Sequence, residues 1–225
     1  MLGKTALITG CSSGIGKALA TALLQENYQV FATVRTTDDG ESLVQETNGK
    51  IIPLILDLTD PPSIFAALRQ LEVEYQVFGI SVLINNAGIA TAGPLEYLDI
   101  DRIKHQLEVN VLGTLSLTQQ ALPFLRRGQG RIINIGSVSG QITLPFFGPY
   151  SASKSALAAL TRALRMELKP WGIPVTLIQP GNIQTPIWDK SIRVTEEIMA
   201  GFSSTATEYY EPYLNNTLTM AGQMS

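Results

Sequence analysis

The stretch Thr5-Ala-Leu-Ile-Thr9-Gly-Cys-Ser-Ser-Gly-Ile-Gly16, running on into Lys17–Gln25, decides the fold. Thr5–Thr9 is an apolar run of strand length, and an Ala/Leu-rich run of helical length follows the glycines. Strand, glycine turn and helix in that order open a βαβ unit. Glycine permits the tight turn and a close backbone approach, while a helix N-terminus offers N–H groups to an anion such as a pyrophosphate. The glycines stand at 10, 14 and 16, a spacing other than G-x-G-x-x-G, and a plain Gly/Ser turn into a helix also fits. Gly10, Ser12, Ser13, Gly14, Ile15 and Gly16 are the candidate phosphate cradle. Cys11, inside it, reads as a small filler.

The pattern repeats outward from this unit. Tyr28–Val34 reads as the second strand, 36–49 as a short helix with loops, Ile51–Leu58 as the third strand, and Pro61 and Pro62 open a helix to about Glu74. Val82–Gly88 is the fourth strand with its exit, Asp99–Arg127 a long helical stretch, Arg131–Ile135 the fifth strand and Pro174–Gln179 the sixth. Strands alternating with helices predict a single-domain α/β protein, a Rossmann-type doubly wound parallel sheet with helices on both faces. The whole of 1–225 is expected to form one domain, with about 182–225 as a loop-like segment covering a substrate. No seventh strand is evident.

Ligands of such sheets bind outside the carboxyl ends of the strands. An acidic residue after the second strand favours a free ribose 2′-hydroxyl; this chain has Val34-Arg35, and a guanidinium suits a 2′-phosphate. Arg35, with help from the Ser13 hydroxyl, therefore favours NADP over NAD, unless Arg35 is a solvated surface residue. Asp57 either meets an adenine amino group or caps the next helix. Asn85 and Asn86 suit bonds to neighbouring strands, and Gly88 lets the chain turn. Asn110 lies in an apolar stretch and needs hydrogen-bond partners. His105, the only histidine, has no nucleophile or metal partner in the sequence.

Tyr150-Ser-Ala-Ser-Lys154 places a phenol and an ammonium four residues apart, on one face of a helix. A free Tyr has a pKa of about 10, and a nearby ammonium favours the phenolate. The pair makes sense as a tuned acid/base; an ordinary amphipathic helix fits it equally when taken alone. Ser137 stands just past the fifth strand.

Composition narrows the field. With 225 residues, 45% hydrophobic and 16% charged, the chain can bury a sizeable core. A net charge of −3 gives no basic field for nucleic acid. One cysteine allows no internal disulfide or cysteine metal cluster, which fits a reducing, cytoplasmic setting. No apolar run is long enough to span a bilayer, and no signal peptide or anchor is expected ahead of the first strand.

Together, Thr9–Gly16, Asn85-Asn-Ala-Gly88, Asn110, Ser137, Tyr150-x-x-x-Lys154 and Pro180-Gly181 with Thr185 resemble the short-chain dehydrogenase/reductase family over residues 4–186 at least. The segments Thr9–Gly14, Ala32-Thr-Val-Arg35 and Leu144-Pro-Phe146 resemble its branch of 17β-hydroxysteroid and retinol dehydrogenases. The resemblance implies an oxidoreductase of alcohols and carbonyls. Tyr150 would be the acid/base, Lys154 would lower its pKa and hold the nicotinamide ribose, Ser137 would bond the substrate oxygen, and Asn110 would hold a relay water. Leu58, Asn86, Ala87, Gly88, Pro180, Gly181, Ile183 and Thr185 would complete the cofactor site, with no metal. Ile142, Leu144, Phe146, Phe147, Ile187 and Trp188 are candidate walls for a lipophilic substrate, though core or a partner surface fits them too. The alternatives are a 3-oxoacyl thioester reductase and a non-catalytic NADP(H)-sensing module. Family habit implies a homodimer or homotetramer through the Asp99–Arg127 and Ser151–Lys169 helices.

Overall fold

The computed structural model describes residues 4–181, 183 and 185–223; the side chains of 188–190 and 215–223 lie outside what is described. Six parallel strands make one sheet in the order β3-β2-β1-β4-β5-β6, where β1 is Lys4–Ile8, β2 Tyr28–Val34, β3 Ile51–Ile55, β4 Val82–Asn85, β5 Arg131–Ile135 and β6 Val175–Ile178. Strand order reverses between β1 and β4, which opens a crevice at their carboxyl ends.

Side-chain alternation along each strand separates two cores. Leu7, Phe31, Leu83 and Ile132 face the helices α3 (Pro61–Val73) and α5 (Thr114–Arg127), meeting Ile64, Leu68, Leu117 and Leu125. Ala6, Ile8, Val30, Ala32 and Ile84 face α1 (Gly14–Gln25) and α2 (Thr37–Glu46), meeting Ala20 and Leu43. Burial on both faces explains the nearly continuous apolar runs of the central strands. Pro53, which donates no ladder hydrogen bond, sits in the edge strand β3.

A buried polar chain crosses the first core. Asn85 Nδ2 donates to Asn134 Oδ1 at 2.8 Å and to Thr118 Oγ1 at 3.0 Å. Asn134 Nδ2 donates in turn to Thr161 Oγ1 at 2.8 Å. These bonds tie β4 and β5 to α5 and to α6 (Gly148–Glu167).

Two expectations need correction. The third strand stops at Ile55 rather than Leu58. Asp57 ends it by folding back: its Oδ1 accepts from the Thr59 N–H and hydroxyl, both at 2.8 Å, while its own N–H donates to Ser63 Oγ at 3.0 Å. The long helical stretch expected at Asp99–Arg127 runs unbroken from Ile100 to Arg127, but not as regular α-helix throughout. α4 (Ile100–Leu107) passes through a wide π turn, Glu108–Gly113, before α5 begins. At that turn Gly113 rests on the Leu58 carbonyl and the Asn110 side chain is drawn to the backbone of Ile89, and one wide turn absorbs both constraints. Finally, 182–225 is not loop-like: it carries α7 (Pro186–Met199) and α8 (Ser204–Gln223). Small polar residues hide the pattern of α7, because Ser191 and Thr195 occupy its buried positions. Thr195 Oγ1 donates to the Ala92 carbonyl at 3.1 Å, pinning α7 to the loop after β4.

Candidate active site

A cavity of about 590 Å³ lies over the carboxyl ends of the strands. The glycine loop, following the central strand β1, lines it. Gly10 has φ +70°, where any Cβ would also stand 2.8 Å from Ala87 Cα. Gly16 is packed against the Gly10 carbonyl and the Asn86 amide, leaving no room for a side chain. Thr9 anchors the loop: its Oγ1 accepts the N–H groups of Asn86 and Ala87, each at 2.9 Å. Asn86 Nδ2 closes the bracket by donating to the carbonyls of Thr9 at 2.9 Å and Gly10 at 3.1 Å. Cys11 is fully buried, its Sγ donates to the Ile8 carbonyl at 3.4 Å, and burial pushes its thiol far up, as a filler requires.

Ser13 stands at the N-cap of α1 but accepts no hydrogen bond from the helix, and its first turn carries no acidic side chain. The leading N–H groups of α1 thus suit an external anion. This cradle fits a dinucleotide pyrophosphate. Arg35 is exposed at the end of β2 and lines the cavity. Asp57 lines it as well, and it does not cap α3, whose N-cap is Asp60. Its carboxyl is held below the usual range, chiefly by the Thr59 N–H and hydroxyl, with smaller help from the charges of Arg35 and His105.

The same cavity gathers Ser137, Tyr150 and Lys154. Ser137 leaves β5 in extended backbone, with its Oγ accepting from the Ser139 N–H at 3.1 Å and its carbonyl accepting from Gln179 Nε2 at 3.2 Å. Tyr150 and Lys154 lie in the first two turns of α6. Lys154 reaches across to donate from Nζ to the Ile135 carbonyl at 2.9 Å, and its Nζ is 5.7 Å from the Tyr150 ring centroid. Burial brings the lysine down to about 8. Burial also pushes the Tyr150 phenol up, against a smaller downward pull from its hydrogen bond with the Ser137 hydroxyl. The expectation that the ammonium sets a lowered phenol pKa is therefore corrected: among these protein groups, desolvation wins.

Asn110 is buried beside the cavity without lining it. Its Oδ1 accepts from the Ile89 N–H at 2.9 Å, and its Nδ2 donates to the Ile89 carbonyl at 2.9 Å and to Ser153 Oγ at 3.0 Å. Both ends of the amide are occupied. A Cβ on Gly88 would stand 3.2 Å from Asn110 Oδ1 and 3.5 Å from Lys154 Nζ, so these groups are neighbours.

Every residue expected around the cofactor lines the cavity except Gly16, which packs behind it. The substrate wall is placed less fully. Ile187 lines the cavity; Ile142 and Leu144 are exposed outside it, Phe147 is buried, and the Trp188 side chain lies outside the described residues. Phe146 takes φ +68°, unusual for an aromatic residue, with its carbonyl accepting the Gly93 N–H at 2.8 Å. Its ring meets Tyr210 of α8 edge-on at 6.4 Å. Sequence reasoning missed Thr9, legible only once β4 is known to lie beside β1, and it missed the place of His105 in the cavity wall.

The model of the short chain dehydrogenases matches residues 4–195. The chain belongs to the short-chain dehydrogenase family. Among relatives of this dehydrogenase, it is 40% identical over 193 residues to an NADPH-dependent 3-dehydrocapnine reductase of Ornithobacterium rhinotracheale, covering 84% of this chain and 68% of the relative. It is 36% identical over 181 residues to mouse retinol dehydrogenase 5, covering 80% of this chain but 57% of that one. Among solved structures, a short-chain dehydrogenase from Streptomyces avermitilis superposes with a TM-score of 0.76 at 34% identity, covering 82% of this chain and 67% of that one. A 3-ketoacyl-(acyl-carrier-protein) reductase from Brucella melitensis, complexed with NADH, gives 0.78 at 25% identity over 88% of this chain and 82% of that one. The family makes the chain an oxidoreductase. No helix among the described residues is long and apolar enough to cross a membrane.

Proposed function

We propose that the protein is an NADP-dependent oxidoreductase that interconverts a lipophilic alcohol and its carbonyl, with Tyr150 as the acid/base. The observation that carries this reading is one cavity lined by Ser137, Tyr150 and Lys154 together with the glycine loop. A bound nicotinamide supplies the hydride. Ser137 hydrogen-bonds the substrate oxygen and fixes its distance from Tyr150. Tyr150 gives that oxygen its proton in reduction and takes it back in oxidation. Lys154 compensates the negative charge that Tyr150 acquires and bonds the ribose. The Asn110 amide holds Ile89 and the wide turn through its bonds to the Ile89 backbone, and Asn110 holds a relay water behind Lys154.

The apolar side of the cavity, with Ile89, Ala90, Ile183, Ile187 and Val194, suits a lipophilic substrate. The relatives named for 3-dehydrocapnine and retinol support a carbonyl or alcohol on such a molecule. The 3-ketoacyl reductase neighbour keeps a 3-oxoacyl thioester as the second reading. NADPH oxidation across steroid ketones, retinal and 3-oxoacyl thioesters separates the two. Tight NADPH binding with no turnover on any carbonyl would instead favour a sensing module.

Arg35 carries the preference for NADP. Arg35→Asp is expected to lower the NADPH/NADH affinity ratio roughly tenfold to a hundredfold, the size of a lost charge-assisted contact. An unchanged ratio in a fluorescence titration ends the assignment. The α4–α5 and α6 helices are the proposed dimer faces, where Leu112 and Met166 are exposed. Light scattering should give twice the chain mass of 24.4 kDa or a larger multiple, and a monomer alone rejects the dimer.

A further inference from the structure

His105, the single histidine of the chain, lies exposed on α4 and lines the cavity. Its position follows from how the helix seats on the sheet. Gly113 rests on the exit of β3, where a Cβ would meet that of Leu58 at 2.8 Å. Val109 and His105 come four and eight residues earlier, on the same side of the helix, and both line the cavity. The face therefore climbs from contact at Leu58, past Val109, to His105 at the outer rim.

The neighbouring charges are mostly committed. Asp101 pairs with Lys104 at 2.7 Å, Arg102 with Glu197 at 3.5 Å, and Asp99 caps α4 by accepting the Asp101 N–H. Asp57, held by Thr59, lines the same cavity. No hydrogen bond or ion pair holds the His105 ring among the described residues. Arg35, at the end of β2, flanks the same end of the crevice.

We infer, on the cofactor reading proposed above, that His105 is a further binding residue whose imidazole covers the adenine ring of the cofactor beside Leu58 and Val109, which line the same wall. A purine presents a π-face to whatever aromatic ring stands over it, and such stacking tolerates changes elsewhere in the ligand.

One histidine gives one imidazole signal set, so NMR reads the site directly. Adenosine 2′,5′-bisphosphate is expected to shift the His105 resonances, and nicotinamide mononucleotide to leave them in place. His105→Ala should weaken both the bisphosphate and NADPH about fivefold or more, and His105→Phe should restore affinity to within about twofold. Resonances unmoved by a bisphosphate that binds, or equal affinities in His105→Ala, would overturn the assignment. Failure of the unaltered chain to bind NADPH would overturn the cofactor reading itself, and the role of His105 with it.

Discussion

Tyr150→Phe is expected to lower kcat/KM for carbonyl reduction about a thousandfold, within the range typical of a lost general acid. The change removes one oxygen atom from a buried ring and leaves the packing of the α6 N-terminus in place. It deletes the hydrogen bond with Ser137, worth about 1 kcal/mol, or roughly 2–4 °C in Tm for a chain of this length. NADPH affinity should move little, because the glycine loop, Arg35 and Asp57, which line the same cavity, are unaltered. The combination is diagnostic: a large loss in kcat/KM with near-normal NADPH binding and Tm. A variant keeping more than about a tenth of the activity would remove Tyr150 from the reaction. Ser137→Ala, which leaves the phenol in place, should lose less.

The sequence and the structure agree where a signal is local and diverge where it is tertiary. The spans Tyr28–Val34 and Arg131–Ile135 were readable to the residue because both strands are buried and bounded by polar residues and glycine. The glycine loop was readable because a backbone at φ +70° demands glycine. Tyr150 and Lys154 were readable as a helical spacing, and Ser137 by its place after a strand. The π turn at Asn110 could not be read, because it arises from where Gly113 and Ile89 happen to lie in space. Nor could α7, since Ser191 and Thr195 are buried despite being polar, and Thr195 is tied to the loop carrying Ala92. The direction of the Tyr150 shift was misjudged for a related reason. Spacing shows that an ammonium is near, but only the assembled cavity shows how much water the phenol has lost.

That same desolvation makes Lys154 a cost to the fold, and the cost depends on pH. In the unfolded chain a lysine titrates near 10.5, and in the folded protein Lys154 titrates at about 8. Between these values the unfolded state holds more protons, so unfolding free energy rises with pH across the window. The gap corresponds to about 3 kcal/mol, fully felt below pH 8 and relieved on the way to pH 10. Tyr150 has the opposite sign: its folded pKa is raised, so its contribution is complete below about 10 and is lost only at higher pH. Urea unfolding should therefore show stability climbing from pH 8 to about 10 and then levelling or falling. Lys154→Met keeps the length of the side chain without its charge. It should abolish the climb and raise stability below pH 8, even though it gives up the bond to the Ile135 carbonyl. It should also cost at least a hundredfold in turnover, because nothing then balances charge on Tyr150. A Lys154→Met protein that is less stable at pH 7 and keeps the slope would show that the ammonium is well solvated, and would end this account of the site. A stabilised, inactive variant would mark Lys154 as a residue retained for chemistry against the interest of the fold.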